Sequence, residues 1–255
     1  MSVLLNYKQE GQGQTVVLIH GLFGSFSNLG LLARDLAQDH SVISLDLRNH
    51  GQSFHSDDHS YTLMAQDVAK LLNQKDLEPV IIVGHSMGGK VAMKLAEVAP
   101  QYVKQLIILD MAPVAYQVHR HKDVFQGLIA VDQRKPTTRQ QALDLLAQHI
   151  ESDGVRQFLS KSLYKNDDVF TWRFNVNGLI ENYSNILGWQ EIPPTNIPTL
   201  FIKGGDSDYL MPEHQAAVKR QFPHAKAHVL ANTGHWLHAE RPTEVIRIIR
   251  KCMAS

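Results

Sequence analysis

Gly84-His85-Ser86-Met87-Gly88 sets a serine between two glycines, and both flanks suit it. Upstream, Val80-Ile81-Ile82-Val83 is a β-branched apolar run with the character of a buried strand. Downstream, Val91, Ala92, Leu95, Ala96 and Ala99 share one face of a helix that Pro100 ends. A serine on such a strand–turn–helix elbow is held in a strained backbone that lifts its hydroxyl clear of the sheet. A Cβ at position 84 or 88 would meet the neighbouring strand or helix, so both positions require small residues. The chemistry this spacing offers is nucleophilic attack on a carbonyl by Ser86.

A serine hydroxyl is a weak nucleophile at neutral pH and needs a base, itself held by an acid. On elbows of this kind the chain order is serine, acid, histidine. His235, in Asn232-Thr233-Gly234-His235-Trp236, follows a strand-like run ending at Leu230 and precedes a helix from about Pro242, which is where such a base must sit. His238 reads as a neighbour that packs or hydrogen-bonds, and His20 and His85 as structural or pocket-lining. Two aspartates compete for the acid. Asp110 ends the apolar run 106–109, and Asp208 lies in Gly204-Gly205-Asp206-Ser207-Asp208, just past the next strand. Both strand ends open on the elbow's side of a parallel sheet, and either aspartate could instead cap a turn or helix. The residues alone favour Asp208. Acyl transfer also needs two backbone N–H donors for the oxyanion. Met87 supplies one, and Leu22, in the turn His20-Gly21-Leu22-Phe23-Gly24, the other. The side chains of Leu22 and Phe23 are placed to line an acyl pocket.

Strand-like runs at 15–20, 42–45, 80–83, 106–109, 199–202 and 227–230 alternate with helical stretches such as 29–38 and 62–75. In the latter, Met64, Val68, Leu71 and Leu72 share a face and Thr62 is placed to cap it. This alternation predicts the α/β class: a mostly parallel central sheet with crossover helices. From Pro113 to about Trp189 the rhythm changes, with no strand-like run and three helical stripes. These are Ala142, Leu145, Leu146, His149 and Ile150; then Val155, Phe158, Leu159 and Leu163; then Val176, Leu179, Ile180, Tyr183 and Leu187. We expect residues 113–189 to form a helical cap inserted in a core made of 1–112 and 190–255. Phe125, Trp172, Phe174 and Trp189 are candidates to fill the substrate pocket from the cap, with Trp236 beside His235.

At 255 residues and 44% hydrophobic content, the chain has room for one such domain with its insertion. Lys and Arg number 25 against 25 Asp and Glu, with no basic cluster, which argues against a nucleic-acid partner. The single cysteine, Cys252, excludes an intrachain disulfide and fits a reducing compartment. The first residues lack the basic start and apolar run of a signal peptide, and nothing approaches the ~20 apolar residues of a membrane span. The expectation is a cytoplasmic protein, monomeric or a small homo-oligomer. Asp46-Leu47-Arg48-Asn49-His50-Gly51-Gln52-Ser53 is expected to organise loops around the site. His55, His59 and His119-Arg120-His121 lack zinc-site spacing, and no phosphate-binding glycine loop is present, so neither metal nor cofactor is expected.

Taken together these residues resemble the α/β-hydrolase superfamily. More narrowly, His20-Gly21-Leu22-Phe23-Gly24-Ser25, Asp46-Leu47-Arg48-Asn49-His50-Gly51, Gly84-His85-Ser86-Met87-Gly88-Gly89-Lys90 and Gly234-His235-Trp236-Leu237-His238-Ala239 are similar to the YbfF-type bacterial esterases. Trp172-Arg173-Phe174-Asn175 and Lys203-Gly204-Gly205-x-Ser207-x-Tyr209 strengthen that match. The resemblance implies hydrolysis of carboxylic esters and acyl-CoA thioesters under a helical cap, without a cofactor. It also implies Asp110 as the acid and Ser207 as a fourth member, while Asp206 and Asp208 keep the alternative open. A carbon–carbon bond hydrolase or lyase of the same fold would use the same set, and a ligand-binding protein with vestigial catalysis would retain it.

Overall fold

Runs as uniformly apolar as 16–19, 80–83 and 106–109 are buried on both faces only inside a parallel sheet covered by helices, and that is where the structure puts them. It is a computed structural model and describes residues 3–254. The first half builds β1 (Tyr7–Glu10), β2 (Thr15–Ile19), β3 (Ser41–Leu45), β4 (Val80–His85) and β5 (Val103–Leu109), with α1 (Gly30–Leu36), α2 (Tyr61–Gln74) and α3 (Met87–Val98) between them. The chain then leaves the sheet. It forms α4 (Lys122–Arg134), α5 (Arg139–Ala147), α6 (Asp153–Ser160), β6 (Leu163–Asn166), β7 (Val169–Trp172), α7 (Val176–Glu181) and α8 (Tyr183–Leu187). It returns as β8 (Thr199–Gly204), α9 (Gln215–Gln221), β9 (Lys226–Leu230), α10 (Leu237–Glu240) and α11 (Pro242–Met253).

The main sheet has seven strands in the order β1-β3-β2-β4-β5-β8-β9. All pairings are parallel except β1 on β3. Alternation along each strand divides the interior in two. Val17 and Ile19 of β2 join the larger core with α2, α3 and the inserted helices, while Val16 and Leu18 join the smaller one with α1 and α11. Parallel pairing aligns the carboxyl ends of the central strands, the edge where open α/β sheets bind ligands.

Several expectations are corrected. The inserted segment is not purely helical: β6 and β7 pair as an antiparallel hairpin, Leu163 opposite Trp172. Leu163 therefore belongs to a strand rather than to the second helical stripe. The first stripe ends at Ala147, leaving His149 and Ile150 outside the helix, and the third is split at Asn182 into α7 and α8. Asn182 is drawn off the helical path because its side chain donates to Asp57 O at 2.7 Å and to Gly178 O at 2.9 Å. The cap of α2 is Ser60, whose Oγ accepts from Leu63 N, and not Thr62. β1 was not anticipated: three of its four residues are exposed, so it lacks the apolar face that marks a strand.

Candidate active site

β4 delivers Ser86 to the start of α3 with φ 54° and ψ −122°, a left-handed backbone that a non-glycine residue adopts only under strain. The flanking glycines permit the turn. A Cβ on Gly84 would lie 2.3 Å from Gly88 O, and one on Gly88 2.4 Å from Ile19 O. Adjacent β5 ends level with β4, His85 opposite Leu109. Ser86 N donates to Leu109 O, and Asp110 N to Ile202 O of β8. The sheet thus fixes the serine and Asp110 side by side at its carboxyl edge. β9 pairs with β8 as far as Leu230, so the loop that follows brings His235 to that edge.

His235 joins the two. Its Nδ1 lies 2.7 Å from Asp110 Oδ2 and its Nε2 2.9 Å from Ser86 Oγ. An ionised carboxylate only accepts, so the proton belongs on Nδ1 and Nε2 presents a lone pair to the serine hydroxyl. Asp110 is fully buried. Its Oδ1 accepts Gly204 N at 2.9 Å, and Ser207 Oγ donates to Oδ2. Asp208 lies apart, its side chain 63% exposed and paired with Arg120 at 2.6 Å. His85 backs His235: its Nε2 donates to His235 O at 2.9 Å, and burial holds the ring neutral, well below the usual histidine range.

The turn after β2 is pinned by two neutral histidines. Phe23 N donates to His50 Nε2 at 3.1 Å, while His50 Nδ1 donates to Arg48 O. Burial pushes His50 well below its ordinary pKa, which preserves the accepting Nε2. His20 uses one nitrogen for Gly21 O and the other for Leu47 N. The Phe23 N–H is thus committed to His50, while Leu22 borders the hollows at Ser86 and Met87 the smaller of them. Asp46 ties the neighbouring loop by accepting from Phe26 N, Gln52 N and Asn6 Nδ2.

A cavity of about 270 Å³ opens at Ser86 and His235, walled by Phe23, Val124, Val155, Phe158, Leu159 and Trp236 among others. Phe23 and Trp236, both named from the sequence, border it. Phe125, Trp172 and Phe174 do not: Phe125 and Phe174 pack on Phe23 with ring centroids 5.5 Å away, and Trp172 stacks on Phe174 at 5.1 Å. They form the layer behind the wall, packed against the Phe23 ring or against each other. Trp189 also lies elsewhere, bonding Gln221 Oε1 through its indole N–H at 2.8 Å.

Three residues at the site had no role assigned to them from the sequence. The Tyr209 ring stacks on His235, centroids 3.9 Å apart and 19° from parallel. Arg120 lies over the Tyr209 ring at 4.6 Å, and its Nε is buried without a hydrogen-bond partner among the described residues. Lys90, one turn after Ser86, is fully buried; its ammonium bonds Leu187 O at 3.2 Å and Gly188 O at 2.9 Å between the rings of Tyr61, Tyr116 and Trp189. Only the Gly-Gly-Lys sequence and the helical spacing from Ser86 to Lys90 hinted at the last.

The family model described as alpha/beta hydrolase fold matches residues 14–242. The chain is 46% identical to a putative esterase/lipase of Haemophilus influenzae, over 97% of this chain and 88% of that protein. It is 45% identical to esterase YbfF of Escherichia coli, over 92% of this chain and 91% of that protein. Among solved structures, a marine microorganism esterase superposes with a TM-score of 0.94 at 35% identity, covering 98% of this chain and 99% of the other.

Proposed function

The chain belongs to the α/β-hydrolase family, alongside the YbfF-type esterases, and we propose that it is a serine hydrolase cleaving carboxylic esters and acyl-CoA thioesters through an acyl-enzyme. Ser86 is the nucleophile, His235 the base, Asp110 the orienting acid, and Ser207 a positioning residue that shares the Asp110 carboxylate. The single observation that carries this reading is the His235 ring hydrogen-bonded at once to Ser86 Oγ and Asp110 Oδ2.

The Ser86 hydroxyl gives its proton to His235 Nε2 as Oγ bonds to the substrate carbonyl carbon. The oxyanion is met by Leu22 N–H and Met87 N–H, each worth ~10²–10³ in rate. Collapse breaks the bond to the leaving alcohol or thiol, which takes the proton from Nε2. Water then attacks the acyl-enzyme by the same route: His235 accepts its proton and returns one to Ser86 Oγ as the acid departs. Asp110 holds the imidazole tautomer and offsets the imidazolium charge throughout. Residues 113–189 act as the cap, lending Val124, Val155, Phe158 and Leu159 to the cavity wall. A cytoplasmic setting is part of the same proposal and rests on the single cysteine.

In the decisive experiment, Ser86→Ala abolishes hydrolysis of p-nitrophenyl acetate, the acyl-enzyme burst and labelling by a fluorophosphonate probe. Activity that survives this change would overturn the assignment.

A further inference from the structure

The turn that carries Leu22 is held from two sides, and one of them is the inserted segment. Gly21 sets the turn directly against the serine: a Cβ there would lie 3.1 Å from Ser86 Cβ. Phe23 takes φ 61°, a left-handed backbone that a residue with a side chain keeps only when its surroundings impose it. Both peptides of Phe23 are fixed. Its N–H donates to His50 Nε2 of the core at 3.1 Å, and its carbonyl accepts from Ser162 Oγ at 3.0 Å. Ser162 lies between α6 and β6, 139 positions further along the chain. On the proposed reading of the Leu22 N–H as an oxyanion donor, we infer that Ser162 is a positioning residue, through which the inserted segment holds that donor in place and strengthens it.

A relay of hydrogen bonds connects the two. The peptide whose carbonyl accepts from Ser162 carries the Gly24 N–H, which donates to Gly21 O at 3.1 Å. The Gly21 carbonyl and the Leu22 N–H belong to one peptide. A carbonyl that accepts a hydrogen bond polarises the N–H of its own peptide, so bonds in such a chain strengthen one another. Ser162 at one end therefore makes the Leu22 N–H at the other a better donor and fixes its plane. The mount is stiff. Ser162 is buried, its N–H donates to Leu159 O at 2.9 Å, and its carbonyl accepts from Arg173 N at 3.0 Å. Phe125 and Phe174 of the same segment press on the Phe23 ring, centroids 5.5 Å away. From the core, His20 Nδ1 donates to the same Gly21 oxygen at 2.7 Å, so loss of the Ser162 hydroxyl weakens the donor rather than erasing it.

Ser162→Ala should lower kcat on p-nitrophenyl acetate about 10- to 100-fold, short of the ~10²–10³ lost with a whole oxyanion donor. KM should stay within about 3-fold, because acylation and deacylation both pass through the oxyanion and slow together. Affinity for a trifluoromethyl ketone, whose adduct with Ser86 carries that oxyanion, should fall by the same factor as kcat/KM. A contact that only supports the fold would lower the melting temperature and move neither quantity. Should the alanine variant fail to fold, Ser162→Cys, close in size but a weak donor, should still lose about 3- to 10-fold in kcat. Values of kcat and ketone affinity within about 2-fold of wild type in the folded variant, with Ser86 still acylated, would overturn this inference and leave the serine mechanism standing. A wild-type protein that p-nitrophenyl acetate never acylates at Ser86 would remove both.

Discussion

At the scale of single residues, the two aspartates differ in what surrounds them. Asp110 is buried, accepts from a backbone N–H and a hydroxyl, and faces the imidazole. Asp208 is mostly exposed and neutralised by Arg120, whose guanidinium holds its carboxyl below the usual range. Asp110→Asn would present an amide to His235 Nδ1 and favour the wrong tautomer, so turnover should fall ~10⁴-fold while the fold survives. Asp208→Asn breaks only an exposed pair, worth ~0–1 kcal/mol, and should leave turnover within a few-fold. Comparable losses in the two variants, measured as kcat on p-nitrophenyl acetate, would contradict these roles. The residues alone favoured Asp208 because separation along the chain ignores depth. Two consecutive positions, Ser207 and Asp208, turn opposite ways in one loop, and only the strand pairing that buries Asp110 distinguishes inward from outward. The place of Tyr209 was hidden for the same reason, although the residue stands in the Lys203-to-Tyr209 motif: its stacking on His235 joins two loops with no shared periodicity.

Among the elements, β4, the turn and α3 were readable because every requirement there is local: a β-branched run, two glycines and a helical stripe. The β6–β7 hairpin was not, since its strands are only four residues each and mix polar with apolar side chains. The join between α3 and the inserted segment was hidden too, since it includes Lys90 bonded to two carbonyls about a hundred positions away. It carries its own prediction. Burial pushes the Lys90 ammonium down to about 7, against about 10.4 for lysine in an unfolded chain. Between these values the unfolded chain holds the extra proton, so the Lys90 contribution makes stability rise with pH across that window. Lys90→Met removes this contribution. The melting-temperature difference between wild type and variant should therefore shift in favour of wild type from pH 7 to 10. A difference independent of pH would show that Lys90 stays charged in the fold throughout this range.

For the whole molecule, the notable quantity is the number of histidines kept neutral inside. Burial holds His59 and His121 at about 4 and His238 at about 3, and places His50 and His85 well below the ordinary value. Permanent positive charge adds to burial, Arg48 beside His59 and Arg120 beside His121. An unfolded chain protonates all of these near pH 6.5. Below that pH it binds more protons than the fold does, so stability is complete above about 6.5 and is lost as pH falls toward the folded values. Each histidine contributes up to ~1.4 kcal/mol per pH unit across its window, and several acting together can exhaust the ~5–15 kcal/mol that stabilises a typical domain. The protein should therefore denature cooperatively between about pH 6 and 4. His50 makes the loss local as well as global, since a protonated ring has no lone pair for Phe23 N–H and would release the turn that carries Leu22. Urea midpoints measured at pH 7, 6, 5 and 4 should fall at every step. A midpoint that stays constant down to pH 4 would mean that these rings are hydrated or already charged in the folded protein.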